Sequence, residues 1–177
     1  MSRPAALEVL RDYERRSVAH VAGNPVAMAG GSLWRGLAFR IGRHQLVSAF
    51  DDVVEILGVP QVTPLPGAQP WLLGLANVRG NLLPVADLKL FLEGQRSVPH
   101  EQQRMLVVKQ QGGNVGVLID ELHGQRTFDE SQRGELAEAE GRYAHFIERA
   151  YRQQGVTWSV FSMDRLARTP EFRQAAA

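Results

Sequence analysis

Pro70-Trp-Leu-Leu-Gly-Leu-Ala-Asn-Val-Arg-Gly-Asn-Leu-Leu-Pro-Val-Ala-Asp-Leu-Lys-Leu-Phe-Leu92 reads as strand, tight turn, strand and short helix. Leu73 to Val78 is short and mostly apolar, as a buried strand is. Arg79-Gly80-Asn81 supplies the turn, because Gly80 and Asn81 tolerate positive φ at low cost. Leu82 to Ala86 returns as a second strand. Pro84 has no N–H for a ladder, which predicts an edge position or a bulge. Asp87 stands where a helix N-cap belongs, ahead of Leu88, Leu90, Phe91 and Leu92. The hairpin therefore carries a charged tip, Arg79, on an apolar frame. Arg79 reads as a solvated surface group, as a brace against an internal carboxylate such as Glu55, or as a contact for a partner.

The same punctuation extends in both directions. Gly36 to Ile41 and Gln45 to Phe50 read as strands around a Gly42-Arg43-His44 turn. Asp51 to Leu57 and Val62 to Leu65 follow, separated by Gly58-Val59-Pro60. Gln103 to Gln110 and Val115 to Ile119 pair across Gly112-Gly113-Asn114, and Asp120 to Phe128 continues with Gly124 as a bulge. Ala144 to Tyr151 and Val156 to Phe161 form a last hairpin. Ser162 or Asp164 caps a short helix ending at Arg168. Ala5 to Ala22 has apolar residues at helical spacing, packed on its own body or offered to a partner. Residues 1–32 form a helical extension and linker, 33–168 the main domain, and 169–177 a frayed tail. Many short strands without alternating long helices argue for a mainly β sandwich or barrel. No internal repeat is visible. The polar stretch 93–102 is the candidate seam.

Composition narrows the chemistry. The chain has 177 residues, 44% hydrophobic and 22% charged, with net charge +1. Bulk charge therefore gives no pull toward nucleic acid or membrane. Cysteine is absent, which excludes disulfides and thiolate chemistry and fits a cytoplasmic compartment. No apolar run approaches the ~20 residues of a membrane helix. The histidines (His20, His44, His100, His123 and His145) show no metal-ligand spacing. Asp51-Asp52 and Asp120-Glu121 are sequential pairs whose side chains point to opposite faces of a strand. No phosphate loop or nucleophile elbow is present. Trp34, Trp71 and Trp158 are scattered, and lysine occurs only at Lys89 and Lys109, unlike a strand-binding barrel. The expectation is no enzyme, no metal and no cofactor; the alternative is a small-ligand-binding or hydrolytic β-barrel enzyme.

The central stretch resembles the signature of the CheW-like family of chemotaxis coupling proteins. The matching residues are Pro70, Trp71, Leu72, Gly74, Leu75, Asn77, Val78, Arg79, Gly80, Pro84, Asp87 and Leu88. The resemblance runs from about Leu33 to Leu166 and is greatest to the branch serving type IV pili and twitching motility. It implies two small five-stranded SH3-like barrels packed together. It also implies a non-catalytic adaptor joining the cytoplasmic tip of a methyl-accepting chemoreceptor to the regulatory domain of a histidine autokinase. The receptor contact implied here comprises Val53, Glu55, Ile56, Asn77 and Arg79, with Gly74 and Gly80 shaping the turn. The Leu46-Val-Ser-Ala-Phe-Asp-Asp run and the bulky Arg149, Tyr151 and Arg152 depart from the common pattern.

Overall fold

The computed structural model describes residues 32–136, 139 and 141–174. The helix expected over 5–22, the linker over 25–31 and the last residues 175–177 lie outside the described residues. Eleven strands form two sheets. One contains β1 (Leu33–Ile41), β2 (His44–Ala49), β8 (Glu121–Asp129), β9 (Arg133–Gly134), β10 (Ile147–Gln153) and β11 (Val156–Phe161). Its order is β8-β1-β2-β11-β10-β9. The other contains β3 (Val53–Gly58), β4 (Leu72–Val78), β5 (Asn81–Asp87), β6 (Arg104–Gln110) and β7 (Gly113–Ile119), in the order β3-β6-β7-β5-β4. The first sheet exceeds the expected five strands only by the two-residue β9.

Alternating side chains divide the interior. Leu37, Phe39 and Ile41 of β1 join Leu106, Val108, Val115 and Val117 in a core shared by the two sheets. Trp34 and Ala38, on the opposite face of β1, pack with Phe128, Tyr151 and Trp158. The second sheet has its own cluster around Leu83, Val85 and Met105.

The division between sheets does not fall at 93–102. That stretch joins α1 (Leu88–Glu93) to β6, which leaves it within the second sheet's segment. The chain crosses instead at the 3-10 turn Phe50–Asp52 and again at Asp120. A polar, Gly- and Pro-containing stretch marks a loop, and a loop need not mark a boundary. At the second crossing the Asp120 carboxylate accepts the Gly42 N–H at 2.6 Å, and the Asp120 N–H donates to the Arg40 carbonyl at 3.0 Å.

Of the two positions expected for Pro84, the edge is corrected, because β5 is an interior strand, whereas the β4–β5 ladder does carry a register shift beside it, between Leu72 and Gly74 of β4. Leu75, opposite Pro84, exchanges both of its backbone hydrogen bonds with Thr63. The missing donor of Pro84 therefore points toward β7, whose parallel pairing with β5 starts only at Val85. The strand expected over Val62 to Leu65 shrinks to the single Thr63–Leu75 bridge. The frayed tail is also corrected. After α2 (Met163–Arg168), residues Pro170–Gln174 form α3, and Phe172 is buried against Trp71 and Phe91.

The structure reveals a repeat that the sequence hides. The hairpins β4–β5 and β10–β11 superimpose in pattern at a constant offset of 75 residues. Each has a register shift after its first pair, Leu72–Ala86 and Ile147–Phe161. Each turn places a non-glycine residue at φ 52°, Arg79 or Gln154, before a glycine. The Asp87 N–H donates to the Trp71 carbonyl, and the Ser162 N–H to the Phe146 carbonyl, both at 2.8 Å. Asp87 and Ser162 then cap α1 and α2 through Leu90 N–H and Arg165 N–H. Of the aligned hairpin residues from 71 to 91, only Gly80/Gly155 and Val85/Val160 are identical.

Candidate functional site

The two-residue Arg79-Gly80 loop has positive φ at both positions, the backbone of a type I′ turn. Such a turn follows strand twist and leaves little freedom at the tip. The Asn77 side-chain oxygen accepts the Gly80 N–H at 2.8 Å, so this residue holds the turn from within. Nothing stands within 4 Å of a Cβ built on Gly80, whose φ is +85°. Its glycine is required by conformation rather than by crowding. Gly74 is required by both: at φ +142° its Cβ would collide with the Thr63 backbone carbonyl.

Arg79 and Glu55 form an ion pair at 2.5 Å. Glu55 lies on β3 and Arg79 follows β4, the two outer strands of the five-stranded sheet. The pair thus draws together the ends of the sheet. The arginine side chain remains 75% exposed and the glutamate 25% exposed. The guanidinium is fixed at its base by the turn and stays open to solvent at its tip.

Val53 and Ile56 lie three residues apart, which a regular strand would place on opposite faces. The register shift between Val53 and Glu55 rotates the strand. Val53 then pairs with Val108 and Ile56 with Leu106, and both partners face the shared core. Val53 is half-buried against that core, whereas Ile56 reaches solvent. The structure adds Val54, Phe50 and Leu82 to the surroundings of this corner, each about half exposed or more. Val54 is exposed between half-buried Val53 and Glu55, in step with the strand's alternation. A run of two valines before a glutamate gives no signal of a bulge. Leu82 stands opposite Asn77 in the hairpin, beside a groove of about 490 Å³ that also touches Gln61, Thr63, Leu65 and Leu75.

Ionisable groups elsewhere are shifted by burial. Burial, followed by the nearby Asp164, Glu148 and Asp51 carboxylates, holds the Asp52 carboxyl above the usual carboxylate range. Burial and a hydrogen bond to Glu93 push the Tyr143 phenol well above its ordinary value. Among the described residues, no three His, Cys, Asp or Glu side chains stand together as metal ligands. No helix among them is long and apolar enough to cross a membrane.

With this geometry in hand, comparison with known proteins is specific. The CheW-like domain matches residues 35–171. Protein PilI of Pseudomonas aeruginosa is 34% identical over 170 residues, covering 96% of this chain and 95% of that protein. The chemotaxis protein CheW of Rhizobium meliloti is 32% identical over 84 residues, covering 48% of this chain and 54% of the relative. Among solved structures, the scaffolding protein TtCheW from Thermoanaerobacter tengcongensis superimposes with a TM-score of 0.65 at 19% identity, covering 73% of this chain and 89% of that one.

Proposed function

The chain belongs to the CheW-like family, and we propose that it couples a chemoreceptor to a histidine autokinase in the chemosensory pathway that controls type IV pili. Likeness to PilI along nearly the whole chain supports the pilus branch. The observation that carries the docking role is the Arg79 corner. A guanidinium three-quarters exposed stands on a rigid turn, paired with Glu55, whose strand neighbours Val54 and Ile56 are exposed apolar side chains. A receptor helix pair would cover the apolar residues, at roughly 0.8 kcal/mol per buried methylene-sized group. Its carboxylates or carbonyls would take the planar fork of Arg79, with Glu55 orienting it. Val53 supports the strand from beneath and Asn77 fixes the turn. The autokinase regulatory domain would use a separate surface. Neither contact requires a reaction by this chain, and the comparisons lend the ligand-binding or hydrolytic alternative no support. Cytoplasmic placement follows from the same reading, since receptor tip and kinase must both be reached.

Calorimetry with the isolated receptor tip tests this. Arg79→Ala should weaken receptor binding by about tenfold or more, the usual scale for losing a charged hydrogen bond. Kinase binding should stay unchanged. Equal affinities of a folded Arg79→Ala variant and the native chain for the receptor would make Arg79 a structural brace only.

A further inference from the structure

We propose that the slot beneath α3, with the cleft beside it, is a binding site for a peptide segment carrying a carboxylate followed by an aromatic side chain, and that α3 occupies its aromatic half as a built-in competitor. This goes beyond the coupling role and does not depend on it. The Phe172 ring is 4% exposed. It stacks on Trp71 at 5.1 Å with an interplanar angle of 4°, and meets Phe91 edge-on at 5.4 Å. The residue before it, Glu171, receives hydrogen bonds from Arg142 Nη1 to both carboxylate oxygens at 3.1 Å. Arg142 itself lies over the Phe91 ring at 5.0 Å. An acid followed by an aromatic residue is therefore the pattern this surface already holds.

Two features argue that the hold is exchangeable and the site larger than its present occupant. First, α3 has five residues and a single buried side chain. One helical turn has no cooperativity of its own, so its attachment rests on Phe172 and an exposed ion pair. Second, a cleft of about 460 Å³ lies open beside Thr169 and Glu171, and it shares Phe91 with the Phe172 slot. Phe91 and Phe146 form its apolar side, and Arg142, His145 and Arg165 rim it together with Glu171; Arg142 is paired with Glu171 and Arg165 with Glu148 at 3.2 Å, so an incoming carboxylate would exchange with these partners. Rings beneath guanidinium groups suit an aromatic anchor flanked by carboxylates, with arginine and aromatic residues the usual centres of binding energy.

The test uses the full chain with Phe172→Ala, which empties the slot, and a synthetic peptide spanning Thr169 to Ala177 as the probe. Tryptophan fluorescence reports binding through Trp71. The variant should bind the peptide saturably and at least about tenfold more tightly than the native chain, where Phe172 competes. Replacing the peptide's phenylalanine by alanine should abolish binding, and replacing its glutamate by glutamine should weaken it severalfold. If Phe172→Ala does not fold, Phe172→Leu keeps apolar filling while competing less well, and the same ordering holds. A folded variant with no saturable response, or one that binds the alanine peptide equally well, overturns the proposal.

Discussion

The hairpins β4–β5 and β10–β11 share turn, bulge and helix cap, yet their tips are fastened to their sheets in opposite senses. In the first, the cation sits on the hairpin and its carboxylate partner, Glu55, on the edge strand. In the second, Arg126 of the edge strand β8 donates to the Gln153 side chain, which in turn donates to the Thr127 carbonyl. Arg126 is further held over the Trp158 ring at 4.5 Å. The second tip is tied by an amide, a backbone carbonyl and a ring. The first is tied by one ion pair whose arginine is mostly in solvent, and such pairs contribute little and weaken with salt. One frame thus supplies a fixed corner and a corner whose charge can change partners.

The largest test of this equivalence is Gly74→Val. Its counterpart is Arg149, whose guanidinium lies over Trp34 at 5.0 Å. Left-handed strain and collision with Thr63 should together cost about 4 kcal/mol in denaturant unfolding. Arg149→Ala should cost only about 1 kcal/mol, from lost ring contact. Similar losses at both positions would mean that the two bulges bear equal strain.

Next come the caps. Asp87 is 1% exposed and accepts from Leu90 N–H, Ser97 N–H and Ser97 Oγ. Among the described residues, the Ser162 side chain accepts from the Arg165 N–H alone. Asp87→Ala should therefore cost about 3 kcal/mol, because buried donors lose their partner. Ser162→Ala should cost about 1 kcal/mol, the ordinary scale for a cap. Equal shifts in unfolding midpoint would remove the added role of Asp87 in holding the Ser97 loop.

The smallest effect sharpens the comparison most. Gln154→Gly should stabilise by about 1 kcal/mol, since φ 52° strains a side-chain-bearing residue. Arg79→Gly relieves the same strain but loses Glu55, so it should gain less. Equal gains from the two changes would show that the ion pair contributes nothing to closing the sheet.

These particulars explain what could be read from residues alone. The central hairpin, the Asp87 cap, the Gly124 bulge and the Ser162 cap were legible because each rests on local chemistry: turn residues, a short acceptor before an apolar run, a glycine in a strand. The bulge lies in β8 itself, beside Gly124: consecutive Ala38 and Phe39 pair with Gly124 and Leu122, so His123 is the extra residue. The true sheet boundary was not legible, because long-range pairings decide it. The parallel contacts of Val47 with Val160 and Gly116 with Val85 carry no local mark. The repeat escaped for a related reason. Backbone hydrogen bonds preserve it, while Leu83 and Trp158, or Ala86 and Phe161, fill equivalent buried places with different volumes. At the candidate site, Arg79 and Glu55 could be named as partners, but the register shift between Val53 and Glu55 could not.

The chain's path between the two sheets has a consequence for its birth. Every strand of the five-stranded sheet lies between residues 53 and 119, whereas the six-stranded sheet joins residues 33–49 to residues 121–161. A ribosome therefore delivers one sheet in full while β1 and β2 still wait for the partners that complete theirs. During that interval the waiting hairpin exposes Leu37, Phe39 and Leu46, and the finished sheet offers them a surface to rest on. The interleaving makes the first-formed half a template for the last.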